Sequence, residues 1–336
     1  MSHLGIAGAG LLGRLLAWTL AHRGHRVQVF DPADGPAPRF DGHGAAAFTA
    51  AGLLSPLAER DAAGERLAAL GWRSLPLWRT VQEALPSRPM LRLDDSLLLA
   101  HPSDLGSAQR LLAKLPAGQA EAVQPSVLEP SLDPRLHGWR LPGEGQVDTL
   151  AMLQALHDDA PGVQWHWRRT VQALQPGVLE VDGERHRFDT VFDVRGLGAR
   201  PDLPLRGVRG ETVWLHARGH GLTRPVRLLH PRHRVYLAPR PGDMLVVGAS
   251  EIESEDRSEV SLKTAVELMA AAHSALPALA EARIVRLDRN LRPALPDNEP
   301  QVDVAPGLVR MNGLFRHGWL LAPALVEDAL NDWSLA

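Results

Sequence analysis

The sequence predicts an α/β protein with two structural units, one of alternating strands and helices and one dominated by an antiparallel sheet carrying helices. Three observations lead there. Residues 5–31 read as a strand, a glycine-rich turn, a helix and a second strand. Residues 210–248 hold four short strand-like segments separated by turns, the pattern of an antiparallel sheet. The strand-then-helix pattern returns over 308–333. The first unit is therefore discontinuous, with approximate bounds 1–85, 143–205 and 285–336; the second comprises 86–142 and 206–284.

The amino-terminal stretch carries the most chemistry. A short apolar run enters Gly8, Gly10 and Gly13, which fill a G-x-G-x-x-G template. Leu11, Leu12, Leu15, Leu16, Trp18 and Leu20 support a helix behind the glycines, Gly24 suits its stop, and residues 26–30 alternate as a strand ending at Asp31. Gly8 permits a tight turn, Gly10 lets backbone approach a pyrophosphate, and Gly13 lets the helix pack close to the strand. The helix N-terminus offers free N–H groups and partial positive charge to phosphates. Asp31 is placed to accept hydrogen bonds from ribose hydroxyls. Together these form a Rossmann-like dinucleotide site, which by itself does not separate FAD from NAD.

Composition sets the outer limits. The 336 residues suffice for a sizeable core and two domains, and 45% hydrophobic with 22% charged residues is the balance of a soluble globular protein. A net charge of −3 gives no reason to expect nucleic acid or a membrane surface as partner. Of 36 basic residues only Lys114 and Lys263 are lysine. With no cysteine, disulfides, thiolate metal sites and cysteinyl flavin are excluded, while a histidyl linkage stays open. The fingerprint begins almost at Met1 and no apolar run reaches membrane-spanning length, so a cytoplasmic location is expected.

Along the rest of the chain, 31–44 reads as loop and 45–56 as a stretch of small residues, followed by Glu59. A helix is expected over 64–85, a hairpin from 91–93 and 96–100, and a helix over 104–115. Asp148 is a good N-cap for a helix over 149–157. Short strands surround the turn Asp182-Gly183, and an apolar strand over 190–194 runs into Gly196. Past the antiparallel segments come a helix over 258–275, a strand over 283–291, a strand over 308–311 and a helix over 319–333. His230 and His233 form an H-x-x-H, but no carboxylate or cysteine motif accompanies it, so no metal site is expected.

Five segments, in order, resemble the glycine oxidase and D-amino acid oxidase group of FAD-dependent amine oxidoreductases. They are the amino-terminal fingerprint, T-A-A-G-L-L at 49–54, G-V-R-G-E at 207–211, Y-L-A-P-R through V-V-G-A-S over 236–250, and the C-terminal pair. That pair is N-L-R-P at 290–293 and N-G-L-F-R-H-G-W-L-L-A-P-A at 312–324. The resemblance implies a DAO-type flavoprotein fold with FAD held non-covalently. By position it implies that Leu11, Leu12, Asp31 and Pro32 line adenosine and pyrophosphate. Ala46, Ala47, Ala51, Gly52 and Leu53 would run beside the flavin, Val171 would meet adenine through its backbone, and Gly196 would belong to the glycine turn of the cofactor unit. Leu314, Phe315, Arg316, His317, Gly318, Trp319 and Leu320 would pass the pyrimidine edge. A helix starting near Gly318 has its own reason to do so, since its N–H groups suit the negative charge that collects there on reduction.

The resemblance also implies the reaction. A small amino acid or secondary amine is oxidised to an imine, its Cα–H leaving as hydride toward flavin N5, with electrons passing to O2 or another acceptor. Arg292 is the expected receptor for the substrate carboxylate, because a guanidinium makes a planar bidentate pair with it; a structural arginine is the competing reading in a chain so rich in them. Arg316 matches a second family position near substrate and flavin. Tyr236, the one tyrosine of the chain, matches a substrate-contacting position. Glu251 departs from the family, which has an apolar residue there; it either faces a cation, which would favour a positively charged substrate, or joins the acidic loop of Glu253, Glu255 and Asp256. A flavin dehydrogenase using a quinone or protein acceptor, and a non-catalytic flavin-binding subunit, are the alternatives. Homo-oligomerisation is left open.

Overall fold

The computed structural model describes residues 1–116, 118–229 and 234–335, without the side chains of 61–63, 234 and 335. Strand β1 (His3–Ala7), helix α1 (Leu11–His22) and strand β2 (Arg26–Asp31) open the chain. β1 pairs in parallel with β2 on one side and with Thr190–Asp193 on the other. The sheet runs Gln301–Ala305, Leu308–Asn312, Thr190–Asp193, β1, β2, Gln164–Trp167; all its pairings are parallel except that of Gln301–Ala305 with Leu308–Asn312 at the edge. Such a sheet needs cover on both faces. α1, α2 (Pro56–Ala84), Thr149–Asp158 and Gly318–Leu335 contribute to one large apolar core on it, and the meander Val171–Gln175, Val178–Val181, Glu184–Arg187 packs Val171, Leu179 and Val181 with Phe30, Val191 and Leu308.

The second sheet has eight strands, in the order Arg283–Ala294, Arg206–His216, Met244–Gly248, Arg234–Arg240, Val226–Leu229, Asp95–Ala100, His137–Pro142, Glu121–Val123. It is antiparallel except where Val226–Leu229 runs parallel to Asp95–Ala100. Helix Leu262–Ala275 covers it with Leu268, Ala271, Ala272 and Ala275.

Three local expectations are corrected and one strand was not foreseen, each for a stated cause. Residues 91–100 form no hairpin. All six residues of Asp95–Ala100 are buried, which places that strand inside the eight-stranded sheet, while Leu91–Arg92 pairs with Gly145–Val147 instead. α2 begins at Pro56, not at 64, because the buried carboxylate of Glu144 accepts from Leu57 N at 2.7 Å and Ala58 N at 3.1 Å and supplies a cap that no local residue provides. Gly64, at φ 76°, is a kink within it. The helix expected from 258 begins at Leu262: Asp256 takes the N–H and hydroxyl of Ser258, and Ser261 is the cap, accepting from Thr264 N at 3.1 Å. Strand Gln301–Ala305 is an exposed edge whose polar alternation gave no apolar run to read. Asp148 does cap its helix, accepting from Leu150 N and Ala151 N at 3.1 Å.

Gly13 fixes how α1 meets the sheet, since a Cβ there would stand 1.9 Å from the Gly8 carbonyl oxygen. Gly13→Ala must push α1 away from the glycine turn. It should lower the unfolding free energy by about 1–3 kcal/mol, as overpacking does, in equilibrium denaturation, and should weaken retention of the nucleotide cofactor on dialysis. An unchanged midpoint with cofactor retained would show that α1 can shift at no cost.

Candidate active site

A cavity of about 1120 Å³ runs between the two sheets. It exceeds the roughly 300–1,000 Å³ of ordinary small-molecule pockets. At one end lie Gly8 and Gly10, the first turn of α1, Asp31 and Pro32. No side chain caps α1, so its first N–H groups are available to a ligand in the cavity. Asp31 accepts from Ala9 N at 2.6 Å and from Ala33 N at 2.8 Å, which braces the glycine turn while the carboxylate still borders the cavity. Arg14, buried beneath, donates to the carbonyls of Ala9, Leu153 and Pro36 at 2.8–3.0 Å; burial lowers it to about 10.

The middle is lined by small residues, Ala45 to Gly52, and by the N-terminus of Gly318–Leu335. Residues 40–45 hang from the second sheet by their carbonyls. Arg289 Nη1 donates to Phe40 O at 2.8 Å, Arg257 donates to Gly42 O, and Asn290 Nδ2 donates to Gly44 O at 3.1 Å. The Arg286 guanidinium lies 3.5 Å over the Phe40 ring. A cavity of this size, bordered by a glycine turn, the uncapped N-terminus of α1, the start of Gly318–Leu335 and a lining rich in small residues, fits a flavin dinucleotide.

The far end is charged. Arg292 donates to Ser250 O at 3.0 Å and, more weakly, to Arg209 O at 3.4 Å; it lies over Gly210, where a Cβ would come within 2.3 Å of the guanidinium. Among the described residues no carboxylate pairs with it. Tyr236, on Arg234–Arg240, borders the same space. Glu59, in the first turn of α2, pairs with Arg227 and with Arg316, each at 2.8 Å, and stands 3.5 Å from His317 Nδ1. Arg316 also donates to Glu251 at 3.0 Å.

Every residue that the sequence assigned to cofactor or substrate borders this cavity except Gly13, which packs behind the glycine turn. Glu251 does not join the acidic loop; it pairs with Arg316 of the same chain at 3.0 Å, so its partner is a protein side chain and not the substrate cation that the sequence suggested. Sequence reasoning missed Arg227, one arginine among many, and gave Glu59 no role, although its place one helical turn past the small-residue stretch was the available signal. His230 and His233 lie outside the described residues. Among the described residues no group of three or more His, Asp or Glu could hold a metal, and no helix is long and apolar enough to cross a membrane.

Residues 3–328 match the family described as DAO, FAD dependent oxidoreductase. The chain belongs to this family. It is 35% identical over 326 residues to a Rhizobium etli protein described as the thiamine biosynthesis oxidoreductase ThiO, covering 96% of this chain and 94% of that one. It is 27% identical to the bifunctional protein ThiO/ThiG of Synechocystis sp., over 97% of this chain and 51% of that longer protein. The crystal structure of glycine oxidase from Geobacillus kaustophilus superposes with a TM-score of 0.85 at 23% identity, covering 99% of this chain and 94% of that one. The protein is thus an FAD-dependent oxidoreductase with a DAO-type mixed α/β fold.

The charge state of the oxidoreductase's far end follows from its packing. Burial would raise Glu59, but Arg227, Arg316 and His317 outweigh it and hold the carboxyl far below its ordinary value. Burial lowers His317 more than Glu59 raises it, so the ring is neutral at pH 7. Burial lowers Arg292, against the raising influence of Tyr236 and Glu251, and burial raises Tyr236, so the phenol is neutral at pH 7. Burial opposes charge on Arg316, but Glu59 and Glu251 raise it overall. His317 and Glu59 both have folded values below their unfolded ones, so the unfolded chain binds more protons as pH falls. Their contribution to stability is present above the unfolded values and is lost on acidification, His317 first, below about pH 6.5, then Glu59, below about pH 4.3. Denaturation midpoints measured against pH should show this loss, and His317→Gln should flatten the upper part alone. A His317→Gln profile identical to the wild type between pH 6.5 and 5 would mean that the ring binds its proton equally in the folded and unfolded chain, and a wild type that gains stability over that range relative to the variant would mean that the ring is protonated in the fold.

Proposed function

We propose that this enzyme oxidises the C–N bond of a small amino acid or secondary amine to an imine, and that the residues named above hold FAD and substrate in the roles their positions suggest. The parallel sheet and its helices would form the FAD-holding unit, from 1–85, 143–205 and 285–336, and the eight-stranded sheet the substrate unit. Bound FAD would supply the two-electron acceptor. The reading rests on Arg292, a guanidinium bordering the cavity whose hydrogen-bond partners among the described residues are backbone carbonyls. A substrate carboxylate would complete it in a bidentate pair. The Tyr236 hydroxyl, neutral through burial, would donate to the same carboxylate. Fixed there, the substrate would present its Cα–H toward the small-residue lining of 46–53, lose it as hydride to the flavin, and leave an imine to hydrolyse in water. O2 would take the electrons and yield hydrogen peroxide. An acceptor other than O2, a quinone or a protein, is the second reading, favoured by the absence of any lysine among the described residues that line the cavity.

The experiment is the visible spectrum of the anaerobic protein before and after a panel of amino acids and N-methyl amino acids. Bleaching by one of them is the expected result, and peroxide on admitting air separates oxidase from dehydrogenase. A flavin that no amine reduces would overturn the proposal and leave a flavin-binding subunit. For a substrate so found, Arg292→Met should lower kcat/KM by roughly 100-fold or more, the loss expected when one partner of a desolvated charge pair is removed. Tyr236→Phe should raise KM severalfold with the fold intact; unchanged kinetics would remove the tyrosine from the site.

A further inference from the structure

The far end of the cavity carries three guanidiniums, Arg227, Arg292 and Arg316, and two carboxylates, Glu59 and Glu251. They are unequally shared. Glu59 pairs with Arg227 and Arg316, and Glu251 pairs with Arg316 again. Arg316 is thus held between two carboxylates, while Arg292 has none among the described residues. The two guanidiniums also meet one short segment. Arg292 donates to the Ser250 carbonyl, and the next side chain, Glu251, accepts from Arg316. Glu251 is 48% exposed and Arg316 19%, so the pair stands toward the outer side of the site.

We propose that Glu251 determines specificity: by occupying Arg316 beside Arg292, it leaves the site one free guanidinium and restricts it to substrates with a single carboxylate. This rests on the receptor role given to Arg292 above. A second carboxylate on the substrate would have to displace Glu251 from Arg316 and would meet its negative charge until it did. An ion pair exposed on one side is weak, so removing the Glu251 charge frees Arg316 without dismantling the site, where Glu59 still holds it.

The test uses the FAD-loaded enzyme and ions that it does not oxidise: acetate against malonate, succinate and glutarate, with Kd read from the perturbation of the visible flavin spectrum and checked by thermal shift. In Glu251→Gln at least one dicarboxylate should bind about tenfold tighter relative to acetate than in the wild type. The gain should vanish in the Glu251→Gln/Arg316→Gln double variant and be absent in Glu253→Gln, which removes a nearby charge from Arg206 instead. An unchanged ratio, a gain that survives loss of Arg316, or an equal gain in Glu253→Gln overturns the assignment. Acetate that fails to bind the wild type, or binds Arg292→Met equally well, overturns both this inference and the role of Arg292. Because none of these ions is oxidised, a protein that no amine bleaches can still show the dicarboxylate gain, which would uphold Glu251 while the amine reading fails.

Discussion

One carboxylate, Glu59, ties the two halves of the molecule together at the site. Its three cationic or ionisable neighbours come from different places: Arg227 from a strand of the eight-stranded sheet, and Arg316 and His317 from the turn that leads into the last helix of the parallel-sheet unit. A carboxylate removed from water is costly unless its partners are close and well placed, and here two guanidiniums at 2.8 Å supply that. The reverse also holds, since without Glu59 two half-buried arginines would lose a shared partner. Glu59 can stand there only because α2 begins three residues earlier, and α2 begins there because Glu144, fully buried and bonded also to Ser96 Oγ at 2.6 Å, caps it. Position in the site is set by a buried acid that never reaches the cavity.

The strand Arg283–Ala294 does a second kind of joining. Arg286, Arg289 and Asn290 hold residues 40–45 through a ring and two carbonyls, and Arg292, two positions further, borders the cavity. The held segment leads directly into the small residues 46–52 that line the middle of the cavity. A displacement of this strand would therefore move the wall at the middle of the cavity and the proposed carboxylate receptor together. Its pairing with Arg206–His216 over eleven positions resists such movement.

What the sequence disclosed depended on whether the signal was local. The glycines at 8, 10 and 13, the acid at 31 and the helix between them are separated by few residues, and their geometry follows from backbone rules alone. The Asp148 cap was legible for the same reason. The hairpin expected over 91–100 failed because adjacent apolar runs do not reveal which sheet each will join; burial on both faces of Asp95–Ala100 decided it. The start of α2 was illegible because its cap lies more than eighty residues away. Arg227 was illegible because an arginine in an arginine-rich chain carries no information until a carboxylate is found opposite it. Glu251 was seen as a departure, yet its partner emerged only from the meeting of two distant segments.

The site also shows how a chain of net charge −3 can present an electropositive interior. Two helix N-termini, those of α1 and of Gly318–Leu335, end at the same cavity, and the far end holds one more guanidinium than carboxylates. Field lines in a walled cleft are focused by its low-dielectric sides, so the cavity favours anions although the surface as a whole does not. That favours a dinucleotide pyrophosphate at one end and a single carboxylate at the other. With Arg292 as the proposed receptor, amines that carry no carboxylate would be disfavoured, because Glu59 and Glu251, acids that could receive an ammonium, are already engaged by arginine. On the proposed reading, the nitrogen to be oxidised would be held through the carboxylate attached to its α-carbon and not through its own charge, which would leave it free to enter the reaction as a neutral amine.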